Sequence, residues 1–240
     1  MKVEVWSDFV CPFCYIGKRH FEEALKQFEG KSNVEVVFKS FELDPNAKLH
    51  YDMDMHHLLA AKYGMSLEQA KAANENVGRQ AAQVGLTYHF DTMKPTNTFN
   101  AHRLTHFAAQ HGKMTEMAER LFKAYFTESR HIGEHETLKE LAAEIGLDPE
   151  KVSEMLNGDA FSKEVRADEQ EAGMLGIQGV PFFVINRKYA VSGAQPVDVF
   201  VNALQKASEE ESSFTILNDS KNESNDPYCA DGKCEVPNNK

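Results

Sequence analysis

The 240-residue chain is poor in basic charge: 26 Lys and Arg stand against 37 Asp and Glu, for a formal net charge of −11. Nucleic acids and anionic membranes are held by clustered Lys and Arg, so neither is expected as a partner. Long apolar runs are missing too. No stretch approaches the roughly 18–20 apolar residues of a membrane helix, and no leader with a charged start, an apolar core and a small-residue cleavage site can be read. A cytoplasmic location is the expectation. There is no internal repeat, no long low-complexity tract and no heptad seam. Cysteine is scarce, at four residues, and its distribution says more than its number. All four fall into two close pairs, Cys11/Cys14 and Cys229/Cys234, with none left for an incidental place in a core. In a reducing compartment, paired cysteines are more often catalytic, redox-sensing or metal-binding than structural.

What is present suffices for a folded core, with 42% hydrophobic residues over a length that supports one large domain or a domain carrying an insertion. Lys2 to Ser7 alternates apolar and polar side chains and predicts a strand, followed by Cys11-Pro12-Phe13-Cys14 and a helix to about Phe28. Val34 to Phe41 predicts a second strand. From Asp44 to Gly173 the pattern is helical, broken at Gly64, Gly85, Pro95, Gly112, Gly133, Gly146 and Gly158, which predicts five to seven helices. Strand character returns at Val180 to Asn186 and again at Tyr189 to Val191. The two residues between them, Arg187-Lys188, predict a hairpin. A last helix is expected from Val197 to about Ala207.

The order βαβ, helices, ββα is that of an α/β protein with a thioredoxin-like fold and an inserted all-helical domain. The expected boundaries are 1–43 with 176–208 for the thioredoxin-like part and 44–175 for the insertion. Beyond Ser208 the chain carries eight acidic residues against three lysines, and residues 209–240 are expected to be a mobile acidic tail bearing a CxxxxC pair.

Two thiols at a strand-to-helix junction place the first sulfur at a helix N-terminus, where unpaired amides and the helix dipole favour a thiolate. Pro12 at a first-turn position removes an N–H that has no helical partner anyway. This assigns Cys11 the attacking role, which calls for an exposed sulfur, and Cys14 the resolving role in disulfide exchange. The competing reading is half of a structural zinc site, which needs four ligands and would have to recruit Cys229 and Cys234. Those two cysteines flank an Asp231-Gly232 step that favours a tight turn, consistent with a small reversible disulfide or with incidental or metal-binding thiols. Pro181 sits in an apolar run where a trans proline interrupts a sheet ladder. His102 and His106 have a metal-compatible spacing but lack the HExxH pattern, so no metal site is assigned to them. Phe21, Leu25 and Phe28 read as core, Met53, Met55 and Met65 as gap-filling residues, and Gly17 as a point of close packing against the insertion.

Three ordered segments carry a family resemblance: Trp6 to Lys18 around the CxxC, Asn97 to Leu104 in the insertion, and Gly179 to Val184 with Gly193-Ala194-Gln195. The chain resembles the DsbA-like thioredoxin family, and within it the FrnE-like cytoplasmic branch. The resemblance implies thiol–disulfide exchange at Cys11/Cys14 and a cis peptide before Pro181. It also implies substrate contacts from Pro12, Phe13 and Val180, and Asn97, His102 and Arg103 near the cleft, with Arg103 holding an anionic substrate or the lid. A second redox pair at Cys229/Cys234 is implied as well. No cofactor is implied. The partners are protein or small thiols, including glutathione or a thioredoxin system. Phe13 brings no charge where some family members carry His, so a potential of roughly −180 to −230 mV is expected, away from the strongly oxidising end. The alternatives are a kappa-type glutathione-dependent isomerase or transferase, whose nucleophile position usually carries Ser, and a non-enzymatic redox-sensing chaperone.

Overall fold

The computed structural model describes residues 1–212 with the short segments 229–230 and 233–234. Residues 1–208 form one compact unit and 209–240 a second. Within the first, strand β1 (Lys2–Ser7) leads into helix α1 (Pro12–Gln27), and a short 3-10 turn at Lys31–Asn33 leads into β2 (Glu35–Ser40). Seven helices follow: α2 (Met55–Tyr63), α3 (Leu67–Gln83), α4 (Phe99–Ala109), α5 (Met114–Phe126), α6 (His135–Glu144), α7 (Pro149–Asn157) and α8 (Ser162–Met174). Strands β3 (Phe182–Ile185) and β4 (Tyr189–Ser192) and helix α9 (Val197–Ser212), as far as residue 208, complete the unit. This is a thioredoxin-like α/β fold with helices inserted between β2 and β3.

The sheet order is β2-β1-β3-β4. β1 runs parallel to β2 and antiparallel to β3, with Trp6 opposite Phe182. The end of β1 and the start of β3 therefore lie at the same edge of the sheet, and both loops that build the site leave from there. β1 is buried on both faces, as a central strand covered by helices should be. Val3 and Val5 join the main core, where Phe21 of α1 meets Phe183 and Phe200 at 5.4 and 5.7 Å between ring centroids. Trp6 points to the opposite face with Ala172, Ile177 and Val184, and its indole N–H donates to the Asp168 carbonyl at 3.0 Å.

The hairpin differs from expectation by one residue. Asn186 and Arg187, with φ of 50° and 56°, form its tip, rather than Arg187-Lys188. Two consecutive residues with positive φ are the mark of a type I′ turn, whose twist matches that of the strands. β3 begins at Phe182, so Val180 and Pro181 stay outside the ladder. Met53, expected to fill a gap, is 44% exposed instead. The backbones of β5 (Cys229–Ala230) and β6 (Lys233–Cys234) pair antiparallel, with Cys229 opposite Cys234. Their sulfurs, the Asp231-Gly232 step and most of the expected acidic tail lie outside the described residues. Among the described residues, no helix is long and apolar enough to cross a membrane.

Candidate active site

Cys11 is the N-cap of α1, with Pro12 in its first turn. Its amide donates to the Asp8 carbonyl at 3.0 Å, and the Cys14 amide donates to the Cys11 carbonyl at 3.0 Å, so both cysteines sit on a tightly bonded first turn. Both are free thiols. Cys11 is only 5% exposed, against the expectation of an open attacking sulfur. The loop at the start of β3 covers it: the thiol donates to the Val180 carbonyl oxygen at 3.6 Å, and the Val180–Pro181 peptide is cis.

Cys14 is turned into the core at 2% exposure. Burial pushes its thiol well above the ordinary range. The neighbouring Cys11 acts in the same direction, while hydrogen bonds from the Ser7 side chain and the Asp8 backbone oppose it.

Gly17 explains how the loop comes so close. A Cβ there would lie 3.0 Å from Pro181 Cγ and 3.3 Å from Ala194 Cα. The close packing expected at Gly17 is therefore against the Pro181 and Ala194 loops, not against the insertion. The Pro181 carbonyl in turn accepts from the Gly193 amide at 2.8 Å, and His20 Nδ1 lies 2.8 Å from the Gln195 carbonyl oxygen.

A groove of about 400 Å³ opens beside the pair, lined by Phe13, His20, Gln80, Gln83, Val180 and Gly193 among others. Phe13, 39% exposed, stands at its edge. On the Pro12 side lies a second, largely apolar cavity of about 210 Å³, walled by Asp8, Tyr51, Met55, Phe90 and Met93 among others. Tyr88 fixes the turn between them by donating its hydroxyl to the Pro12 carbonyl at 2.8 Å. α1 is tied to α5 by a charged network. Glu119 accepts from Tyr15 at 2.7 Å and from Lys18 and Arg19 at 2.5 Å each, and Tyr15 stacks on Phe122 at 5.0 Å.

The residues expected from the insertion have other surroundings. Asn97 accepts from the Phe99 amide at 2.9 Å at the start of α4 and donates to Glu42 at 3.2 Å. His102 lies on the inner side of the site, buried, with Nε2 3.4 Å from Asp8 Oδ1. His106 turns elsewhere, to Ser40 Oγ at 3.1 Å and Asp168 at 3.2 Å.

Of the two roles implied for Arg103, holding an anionic substrate or the lid, the structure speaks against the first. Its guanidinium donates to the carbonyls of Met155 and Gly158 at 2.7 Å, Ala160 at 2.8 Å and Leu156 at 3.5 Å, and to Asn100 Oδ1 at 2.8 Å. Met155, Leu156 and Gly158 end and cap α7 and Ala160 lies just beyond it, so all five N–H donors are spent on the end of that helix, the turn after it and Asn100 of α4. None is left for an anionic substrate.

Asp8, Ser7, Tyr88 and Glu119 were not singled out as site residues from the sequence. Asp8 and Ser7 lie within the motif around the CxxC, and that position is the one signal that pointed to them. As for metal, Cys11 and Cys14 supply two ligands, whereas zinc takes four. A nucleophilic sulfur at a helix start, a second thiol one turn on and a covering carbonyl beside an open groove are what two-step disulfide exchange requires.

The model of the DsbA-like thioredoxin domain matches residues 2–205. Bacillus subtilis YwbO, an uncharacterised protein, is 32% identical over 204 residues, covering 84% of this chain and 94% of its own length. A crystal structure of a probable DsbA oxidoreductase from Streptomyces coelicolor superposes with a TM-score of 0.85 at 43% identity, covering 99% of this chain and all of that one. The cytosolic disulfide reductase DsbM of Pseudomonas aeruginosa shares the fold at 18% identity and a TM-score of 0.63, with 88% of this chain and all of that one covered. The chain belongs to the DsbA-like thioredoxin-domain family and, with it, to the thiol–disulfide oxidoreductases.

Proposed function

We propose that the protein is a cytoplasmic thiol–disulfide oxidoreductase of the FrnE-like branch, exchanging disulfides with protein or small-thiol substrates through Cys11 and Cys14. The observation that carries this reading is the Cys11 sulfur at the N-terminus of α1, facing the Val180 carbonyl, with Cys14 one turn deeper. In the reducing direction the Cys11 thiolate attacks one sulfur of a substrate disulfide. The substrate S–S bond breaks, the first substrate thiol leaves with a proton from solvent, and a mixed disulfide forms. Cys14 gives up its proton and attacks Cys11 Sγ. The second substrate thiol departs, and the substrate has gained two electrons while Cys11–Cys14 has become a disulfide. The same steps reversed oxidise a dithiol.

Pro12, Phe13 and Val180 are the contacts proposed for the substrate. The groove's volume of about 400 Å³ suits a small thiol such as glutathione or a few residues of an extended peptide. Cys229/Cys234 is proposed as a second redox pair that exchanges with the first.

The test is equilibration of the full chain in graded glutathione redox buffers, followed by alkylation and mass spectrometry of each cysteine pair. Reversible two-electron oxidation of Cys11/Cys14, with a midpoint of roughly −180 to −230 mV, is expected. A pair that stays reduced throughout overturns the reading, and a midpoint near about −120 mV overturns the proposed poise.

A further inference from the structure

Outside the sulfur site, the residues His50, His131 and Glu134 come together from two connections distant in sequence. His50 belongs to the segment between β2 and α2, and the other two to the turn between α5 and α6. One ligand atom from each lies within 4.8 Å of the other two. His50 Nε2 is 3.2 Å from Glu134 Oε1, and the two histidine rings are 5.0 Å apart between centroids.

Three further observations separate this cluster from a chance surface group. His131 Nδ1 is buried and has no hydrogen-bond partner. Glu134 is the N-cap residue of α6, yet its side chain caps no amide and its carboxylate turns to His50 instead. The two connections are also pressed together: a Cβ on Gly133 would lie 2.7 Å from Leu49 Cδ1, and Thr96 of the α3–α4 connection, 2.1 Å from the same point, donates to the Leu49 carbonyl at 2.9 Å.

We propose that His50, His131 and Glu134 bind one divalent transition-metal ion of the zinc class, clamping the β2–α2 connection onto the α5–α6 turn. Two imidazoles and a carboxylate are a zinc donor set, leaving a fourth position for water. A tetrahedral ion with bonds near 2.0–2.1 Å sets its ligand atoms about 3.3 Å apart. The His50–Glu134 pair already has that spacing. The widest separation closes by rotation of His50 and Glu134, whose side chains are 63% and 43% exposed. The clamped segment also carries Leu43, Asp44, Ala47 and Tyr51, which wall the apolar cavity on the Pro12 side. The ion would therefore hold one wall of that cavity in place.

Because cysteines also take zinc, the test uses the full chain with all four cysteines replaced by serine, titrated with Zn²⁺ against a chromophoric chelator. One zinc per chain is expected. His50→Ala and Glu134→Gln should each weaken binding at least tenfold, and His57→Ala, an exposed histidine bonded to Asp54, should leave it unchanged. His50→Ala is decisive, since its exposed side chain can be removed without loss of fold, as circular dichroism would verify. Absence of stoichiometric zinc, or zinc binding that survives His50→Ala, would reduce the cluster to an ordinary histidine–carboxylate pair and overturn the proposal.

Discussion

The Cys11 sulfur lies 3.6 Å from the carbonyl oxygen of Val180, a residue 169 positions further along the chain. With Cys11 so covered and Cys14 turned inward, the two thiols differ in surroundings more than in exposure. Burial and the adjacent Cys11 hold the Cys14 thiol in its protonated form well past the ordinary range. In a Cys11→Ser variant, Cys14 should be alkylated by iodoacetamide at pH 8 at least tenfold more slowly than the same residue in urea-unfolded protein. The linkage follows in sign. A thiol pKa raised on folding contributes stability that is complete below the unfolded value of about 9 and declines as pH rises beyond it. Equal alkylation rates in the folded and unfolded chain would contradict this.

Glu119 ties the active-site helix to α5, and its titration should be visible in acid. Burial alone would raise its pKa, but Lys18, Arg19 and Tyr15 outweigh burial and bring it down to about 2. A depressed carboxylate contributes stability above its unfolded value of about 4.5 and loses it as pH falls toward 2. Its side chain is one-third exposed, so solvent screening reduces the contribution to about 1–2 kcal/mol. Glu119→Gln should lower stability by that amount at pH 7 and flatten the loss between pH 4.5 and 2, as followed by urea denaturation at each pH. An unchanged acid profile would assign the linkage to other carboxylates.

Gly17→Ala places a methyl group 3.0 Å from Pro181 Cγ and 3.3 Å from Ala194 Cα, where the backbone cannot yield without moving the loop. The helix gains up to about 1 kcal/mol from alanine, against an overpacking cost of about 1–3 kcal/mol. A net loss of about 1 kcal/mol is expected. Disulfide-exchange rate should fall several-fold, because the Val180 carbonyl is displaced from Cys11. A thermal melt and a turnover assay read both, and a more stable variant with full turnover would refute the close-approach argument.

Arg103→Lys exchanges five planar donors for three on a flexible stem, leaving two or more carbonyls at the end of α7 unpaired in a buried place. A destabilisation of about 2–4 kcal/mol is expected, with turnover per folded molecule near wild type. If turnover falls while stability holds, the guanidinium acts on substrate after all.

β1 was legible to the residue because Lys2, Val3, Glu4 and Val5 alternate, with Trp6 the one break in the pattern before Ser7. The start of β3 was not, because Val180-Pro181 continues the apolar run of a strand while lacking the N–H that a ladder needs. The hairpin tip shifted because φ above zero is taken up by Asn186 together with Arg187, and only the first of these advertises that freedom. The cysteines stood out in sequence by spacing alone. Arg103 and Gly17 could not be placed in the same way. The partners of Arg103 are carbonyls, which every residue carries, and what presses on Gly17 comes from loops some 160–180 residues distant. Asp8 is a similar case, since His102, whose Nε2 lies 3.4 Å from its Oδ1, sits on a helix of the insertion.

The separation between Cys11 and Val180 also sets a history for every copy of the protein. The CxxC is made early in synthesis and its cover 169 residues later. At roughly 5–20 residues per second, the sulfurs spend about 8–34 s attached to the ribosome without that carbonyl above them. Whatever reaches them in that interval meets an open pair of thiols. Because Cys14 follows Cys11 by three residues, a chance mixed disulfide at either sulfur can be released by attack of the other, which expels the bound thiol and leaves a Cys11–Cys14 disulfide.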